Sequence, residues 1–523
     1  MNTGALLPRR TQPGRLSHPL IVVSNRGPFE HHRDGDGKLM RCPTGGGVAT
    51  ALSSLLSHRA LTWIAGPVSE TDRELVSQGF DSTPLDSRHR LRFASAGAGS
   101  YDLFYGTFAN PILWFLQHSL WDRLERPNLQ QEIVRSWENG YLPVNEAFAD
   151  AVAGEIERVG GAPYVMLHDY HLYVAPLFIR DRHPDVLLQH FTHIPWPGPE
   201  AWSKLPESIV ELICEGLLAN DSVSFQTEES KQNFSLTCLA FLPGVSVNLD
   251  GSEIAYRGRS ARVSANPISV DPFGLRRLLA SPEVGAYRQA IRNGGGMKTI
   301  VRVDRLDPSK NEVGGFQAFD LLLTQHPEWI ERVRLLAFLV PSRSGIPEYR
   351  HYKDEVFALI DSINGRYATA HWRPITVFYE ENRPQAFAAL ADYDTLLVNS
   401  LADGMNLVAK EGPVLNQRDG VVVLSTKAGA FRELKDAALP IEPEDIEGTA
   451  AALQRALLMS PEERRKRAQM LRRTVARHDI SRWLEVQMAD LRATELARLA
   501  ATRPFGGPPL VDAQPTRLVS GMT

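Results

Sequence analysis

Eight short apolar runs, each closing on polar or small residues, constrain this chain more than any other feature. They are Pro19–Ser24, Leu61–Ala65, Tyr164–Leu167, Val186–Phe191, Thr299–Val303, Val333–Val340, Asp394–Val398 and Val421–Ser425. Runs of this kind read as parallel strands buried on both faces. Helical periodicity lies between many of them, as in Glu312–Gln325 and Gln385–Asp392. Strand and helix in alternation predict a doubly wound α/β fold. The strands fall into two series. The first ends around Ala265-Asn-Pro-Ile268, Asp271–Gly296 intervenes and finishes in a glycine-rich stretch, and a new strand begins at Thr299. A boundary near residue 267 predicts two Rossmann-like domains, 19–267 and 268–480, facing each other across a cleft. Ligands in such sheets bind beyond the carboxyl ends of the strands. Residues 1–18 hold Arg9, Arg10 and Arg15 but no apolar stretch, and read as a disordered leader rather than a signal peptide. Residues 501–523 read as a disordered tail.

The 523 residues are 43% hydrophobic and 23% charged, with a net charge of -4. This is a globular composition spread over more than one domain. There is no basic excess to bind nucleic acid or an anionic membrane. No apolar run is long enough to span a bilayer. Cys42, Cys214 and Cys238 form neither a CxxC pair nor a metal-ligand spacing, which fits a reducing cytoplasm.

Several motifs sit where the strands end. Gly45-Gly-Gly47 precedes Val48–Leu56, which can be a helix, so backbone N–H groups there can approach an anion. A flexible loop is the plain alternative. Arg305 and Lys310 lie on the turn after the strand at 299–303, spaced so that both can reach a diphosphate. Such a clamp stabilises a leaving group on which negative charge grows. Solvated surface charges are the alternative. In Asp403-Gly-Met-Asn-Leu-Val-Ala-Lys-Glu411, the N–H groups of Gly404 to Leu407 can face a ligand at a helix start. Glu411, further along, can hold vicinal ribose hydroxyls or sit in a salt bridge. His168-Asp-Tyr-His171 and His193 follow two strands of the first series, suiting acid-base work or structural hydrogen bonds. No third ligand stands at a metal-binding spacing. Tyr105 and Trp114 belong to an aromatic cluster that can pack a core or line a sugar site.

Taken together, these segments resemble the trehalose-6-phosphate synthase family of retaining glycosyltransferases with the GT-B fold. The matching stretches include Ser24-Asn-Arg26, Gly45-Gly-Gly47, Trp114, Gly140-Tyr141, His168-Asp-Tyr-His171, His193-Ile-Pro195, Phe225-Gln-Thr227 and Arg305-Leu-Asp307 with Lys310. Pro341-Ser-Arg343, Ile363-Asn-Gly365, Asp403–Glu411 and Ala428-Gly-Ala430 follow in the family's order. The resemblance implies transfer of glucose from a nucleotide-glucose, UDP- or GDP-linked, to glucose 6-phosphate, giving trehalose 6-phosphate. It implies an acceptor pocket of Arg26, Tyr105, Trp114, Asp169 and Arg343. The donor site would comprise Gly46, Gly47, Arg305, Lys310, Asp403, Gly404, Met405, Asn406, Leu407, Val408 and Glu411. The catalytic set would be His193, Asp169, Arg305, Lys310 and Asp403. No metal or cofactor is implied, because the cations serve the diphosphate. A separate phosphatase would act on the product, a homo-oligomer is compatible, and a helix at 481–500 would cross back onto the first domain.

Four positions depart from the family pattern. The run Asp307-Pro-Ser-Lys-Asn311 lacks the usual Tyr and Gly around the lysine, and Ala402 stands where Arg is common. Ser269 replaces a Gly, and Pro440-Ile-Glu-Pro443 replaces an Asn-Pro form. Pro308, Asn311 and Ala402 fall where the base should be chosen, so the nucleobase stays open between guanine and uracil. Two other readings compete. One is a pseudo-glycosyltransferase joining a cyclitol nucleotide to an aminocyclitol phosphate. The other is a sugar-phosphate-sensing pseudoenzyme, which would be expected to lack Arg305, Lys310 or Glu411.

Overall fold

The computed structural model describes residues 18–44, 52, 60–80, 82–86, 88–124, 126–292 and 296–502. The leader up to residue 17, the glycine run with Gly46 and Gly47, the helix expected over Val48–Leu56 (Leu52 excepted), residues 293–295 and the tail from 503 lie outside this set.

All eight apolar runs are strands. They distribute over two sheets, one of ten strands and one of six. In the first sheet Leu20–Ser24 is central, paired in parallel with Leu61–Ala65 on one side and Tyr164–His168 on the other. From there the parallel ladder runs through Leu187–Phe191 and Ser222–Phe225 to Arg259–Ala265. All five residues of Leu20–Ser24 and of Tyr164–His168 are buried, as expected of strands covered on both faces. The chain leaves Leu20–Ser24 toward one edge and returns on the other. The strand order therefore reverses between Leu20–Ser24 and Tyr164–His168.

The second sheet is wholly parallel. Its spatial order is Ile375–Phe378, Val333–Val340, Lys298–Arg305, Thr395–Val398, Val421–Ser425, Leu439–Ile441. In its own numbering this is 3-2-1-4-5-6, the order of a dinucleotide-type α/β sheet whose crevice opens between its first and fourth strands. The helix Glu312–Gln325 begins at the residue expected from periodicity, capped by Asn311, whose side chain accepts from Gly314 N.

The two sheets share buried apolar contacts. Leu20, Trp63 and Phe191 from the first belong to one continuous cluster with Val301, Leu396 and Val422 from the second. That cluster also takes in Trp483, Leu484 and Met488 of the long helix Ile480–Thr502. The Trp483 ring meets Phe191 edge-on at 5.2 Å, and its Nε1 donates to Asn266 O at 3.2 Å. Farther along, Tyr164 donates to Glu495 at 2.5 Å and His18 bonds the same carboxylate at 2.7 Å.

Candidate active site

Both reversal points open onto one cleft. Beyond the first lie Asn25 and Arg26 from one strand and Asp169 to His171 from its neighbour. At the second lie Arg305, the last residue of its strand, then Leu306 to Lys310, and Asn399 to Asp403. The two rims touch. A Cβ placed on Gly404 would collide with the carbonyl of His193, so glycine is required there for this close approach. Trp114 Nε1 donates to Asp307 Oδ1 at 3.2 Å, and Arg343 Nη2 donates to Tyr170 Oη at 3.3 Å.

Local structure explains how the aromatic segment enters this cleft. Phe104–Leu113 winds as a π-helix that breaks at Asn110, whose φ of -134° and ψ of 118° are extended. Asn110 precedes Pro111, and a residue before proline is driven out of helical geometry. Its side chain braces the break: Nδ2 donates to Tyr105 O at 3.2 Å, and Oδ1 accepts from Tyr170 Oη at 2.7 Å. Tyr105 and Trp114 thereby project from either side of one kink. Tyr105 stacks on His171 with centroids 6.1 Å apart and planes 8° apart, and it is hydrogen-bonded to Arg26. Burial pushes the Tyr105 hydroxyl up, but Arg343, Arg26 and Arg305 outweigh it and lower its pKa. Two of the acceptor candidates, with Arg305 of the donor set, therefore act on a third.

Asp307 is the hub of the second rim. Its carboxylate accepts from Ser309 N at 3.0 Å, Ser309 Oγ at 2.8 Å, Trp114 Nε1 at 3.2 Å and Arg343 Nη1 at 2.8 Å. It is fully buried, which alone would raise its pKa, yet Arg343 and Arg305 hold it at about 2. Arg343 also donates to Tyr349 Oη at 2.5 Å, and its guanidinium lies 4.0 Å from the Trp114 ring centroid. Arg343 Nε is buried with no partner. Arg305 sits 5.3 Å from the same ring.

Lys310 is paired with Asp403, and Asn406 Nδ2 donates to the same carboxylate at 3.1 Å. Burial pushes Asp403 up, but Lys310 reverses this and keeps it ionised. Met405 is buried, Leu407 caps the helix Val408–Leu415, and Glu411 lies in its first turn. Burial raises the Glu411 pKa, with Arg383 at 3.8 Å pulling the other way.

On the first rim, Asp169 has φ 74° and ψ 171°, a conformation that is costly for any residue but glycine. It is held by its N–H on Phe191 O at 2.7 Å and by its carboxylate, which accepts from His193 N at 3.2 Å. Burial lifts its pKa to about 6, with backbone N–H groups, Arg305 and Arg343 working against the rise. His193 shares a hydrogen bond with His168 at 3.2 Å and one with Gln226 at 3.3 Å. Burial pushes His193 well down, so it works as a neutral imidazole. Asp169, Asn311, Arg343 and Asn406 all have positive φ, and strain of this kind collects at functional sites.

The structure brings most of the described residues expected at the site onto the two rims, while Val408 and Glu411 lie on the helix Val408–Leu415, where Glu411 pairs with Arg383 rather than with another of them. Asn311, one of the positions expected near the base, has its side chain engaged by backbone groups. It takes φ 56°, where asparagine replaces glycine at least cost. Its Oδ1 caps Gly314 N, and Nδ2 donates to Asn399 O at 3.3 Å and Pro443 O at 2.7 Å. The turn at Asn311 is thus tied to the backbone of the departing stretch Pro440–Pro443. Sequence reading took in Tyr170, Gln226 and Asp307 within motifs without giving them a role, and passed over Tyr349 and His118. The buried polar partners carry no spacing signal. Among the described residues no group of three or more His, Cys, Asp or Glu side chains is arranged around a metal position, and no helix is long and apolar enough to cross a membrane.

Comparison with known proteins agrees with this geometry. The family model Glycosyltransferase family 20 matches residues 18–493. The chain is 32% identical over 476 residues to alpha,alpha-trehalose-phosphate synthase (UDP-forming) A of Dictyostelium discoideum, covering 90% of this chain and 62% of that one. It is 34% identical over 484 residues to a bifunctional trehalose-6-phosphate synthase/phosphatase of Thermoproteus tenax, covering 89% and 62%. The chain thus spans about three-fifths of the length of these relatives. A solved alpha,alpha-trehalose-phosphate synthase (UDP-forming) from Burkholderia xenovorans, in complex with glucose-6-phosphate, superposes with a TM-score of 0.79 at 28% identity, covering 91% of this chain and 100% of that one. An E. coli structure bound with UDP-2-fluoro glucose gives 0.77 at 28%, covering 90% and 98%. With one largely and one wholly parallel sheet facing one cleft in the GT-B manner, the chain belongs to glycosyltransferase family 20.

Proposed function

We propose that this enzyme transfers glucose, with retention of configuration, from a nucleotide-glucose to glucose 6-phosphate, giving α,α-trehalose 6-phosphate. The observation that carries this reading is the apposition of two cation-bearing rims in one cleft. Arg305 and Lys310 line the rim where a nucleotide belongs, and Arg26, Tyr105 and Asp169 line the facing rim. Similarity to synthases solved with glucose-6-phosphate and with a UDP-glucose analogue supports the same assignment.

In this reading, the donor diphosphate competes with Asp403 for Lys310, and Arg305 shares its charge. Asp403, released from the lysine, accepts hydroxyls of the donor glucose, while His193 and the N–H groups of Gly404 to Leu407 hold it from the other side. Glu411 takes the ribose. Arg26 and the unpartnered Nε of Arg343 receive the acceptor phosphate, and Asp169 orients the acceptor hydroxyl. Substitution then occurs on one face. The leaving phosphate oxygen takes the acceptor proton as the new glycosidic bond forms, so no protein nucleophile is needed. The protein contributes orientation and charge stabilisation, and no metal or cofactor enters the step. The product would pass to a separate phosphatase, in the cytoplasm.

UDP-glucose is the first donor to test. The relatives described above include UDP-forming synthases, and Asn311, one of the positions that left guanine open, serves the backbone instead. Purified protein should be assayed with glucose 6-phosphate and each of UDP-, GDP- and ADP-glucose. Formation of trehalose 6-phosphate from one of them is the expected result. If none yields it, the reading is lost.

A further inference from the structure

Trp114 meets Arg343, Arg305 and Asp307, so the orientation of its indole governs how those groups face the acceptor. Trp114 stands in the last turn of the helical run that resumes after the break at Asn110. His118 closes that helix. We propose that His118 is a positioning residue for the acceptor site, fixing the Trp114 indole through a stacked ring and a doubly bonded Trp114 carbonyl. This rests on the reading above in that Trp114 is taken to border the glucose 6-phosphate pocket.

Two contacts carry the inference. The His118 and Trp114 rings stack with centroids 4.0 Å apart and planes 25° apart. The Trp114 carbonyl accepts both the His118 backbone N–H at 3.0 Å and Nδ1 at 2.8 Å. A carbonyl only accepts, so Nδ1 must carry the proton, which sets the tautomer. The ring is also kept uncharged. His118 is 2% exposed, and burial pushes its pKa down to about 4 against the pull of Asp307 and Asp403. Neutrality matters because two guanidinium groups already share the Trp114 ring. A cationic imidazole stacked on it would compete with both.

Three variants separate the parts of this device. His118→Phe keeps a ring and loses the Nδ1 donor. His118→Asn keeps a donor and loses the ring. His118→Ala loses both. With the nucleotide-glucose that wild type uses best, His118→Ala should raise KM for glucose 6-phosphate about tenfold while KM for the donor moves less than about twofold. The other two variants should fall between. Because the effect passes through Trp114, a Trp114→Phe/His118→Ala double variant should be no worse than Trp114→Phe alone. An unchanged acceptor KM, equal losses for donor and acceptor, or additive losses in the double variant overturns the proposal. If His118→Ala does not fold, His118→Asn and His118→Phe carry the same comparison. A wild-type enzyme that makes no disaccharide phosphate removes the functional reading and this inference together. Wild-type turnover with an unaffected acceptor KM in the variants removes this inference alone.

Discussion

At the scale of single residues, the site is a set of charges whose burial has been offset one by one. Lys310 and Asp403 are each nearly buried and paired with each other. Removing the lysine takes away the charge proposed to meet the diphosphate. Lys310→Ala should therefore lower kcat by about 100-fold or more, the usual size of losing one transition-state donor. Asp403 keeps its Asn406 bond, so the variant should stay folded, which circular dichroism and thermal melting can verify. Near-normal nucleotide release by that variant would refute the role. Gly404 makes a different demand. Its missing Cβ leaves room for the His193 carbonyl. Gly404→Ala should separate the rims and cut turnover by about 100-fold through misplacement alone, with far-ultraviolet dichroism unchanged. Wild-type kinetics would show that the rims need not touch.

Secondary-structure elements set the next scale. The turn Pro308–Lys310 and the helix after it are joined by Asn311, which caps the helix from a left-handed conformation. Asn311→Ala loses the cap and strains the backbone, and should cost about 1–3 kcal/mol. Asn311→Gly relieves the strain and should cost less. Denaturant unfolding of both variants tests the order, and equal losses would mean that the bond to Pro443 O dominates instead. In one dimension Asn311, next to Lys310, looks like a ligand contact. Only the fold shows that its amide is already committed to three backbone groups.

For the whole molecule, buried histidines dominate the response to acid. His118 is held near pKa 4, and His168 and His190 near 3, all by burial. An unfolded histidine titrates near 6.5. Between these values the unfolded chain binds more protons than the folded one, so stability is full above about pH 6.5 and falls as pH drops toward 4. Five acids oppose this. Asp169, lifted to about 6, and Asp304, Glu312, Glu411 and Asp490, also raised by burial, bind protons more readily when folded and soften the fall. Five histidines stand against them, since burial also holds His171 and His193 well below the usual range, and the acids' opposition fades toward pH 4, where unfolded carboxyls take up protons too. Each net proton is worth about 1.4 kcal/mol per pH unit, and the melting temperature should decline steadily from pH 6.5 to 4. A flat profile over that range would show that these imidazoles are not buried in the neutral form.

What the amino-acid sequence determined by itself is the architecture. Apolar runs such as Tyr164–Leu167 and Val421–Ser425 have no polar face, so they can only be central parallel strands, and the motifs that follow them must emerge at carboxyl ends. Strands with broken patterns, such as His89–Phe93 and Arg259–Ala265, left no such mark, because their charged residues face outward or lie partly covered. The local pattern also placed Lys310, Asp403 and Glu411 beyond strand ends, whereas Arg305, expected after a strand closing at 303, is the last residue of Lys298–Arg305. Tertiary structure alone decided which of these groups meet. Asp307 links Trp114 and Arg343 across nearly 230 residues, His118 presses on Trp114, and Gly404 receives a carbonyl from the other sheet. Strand burial is a property of neighbours along the chain and leaves a periodic trace. An ion pair or stacked ring between distant segments depends on how two sheets pack, and no spacing in the sequence records it.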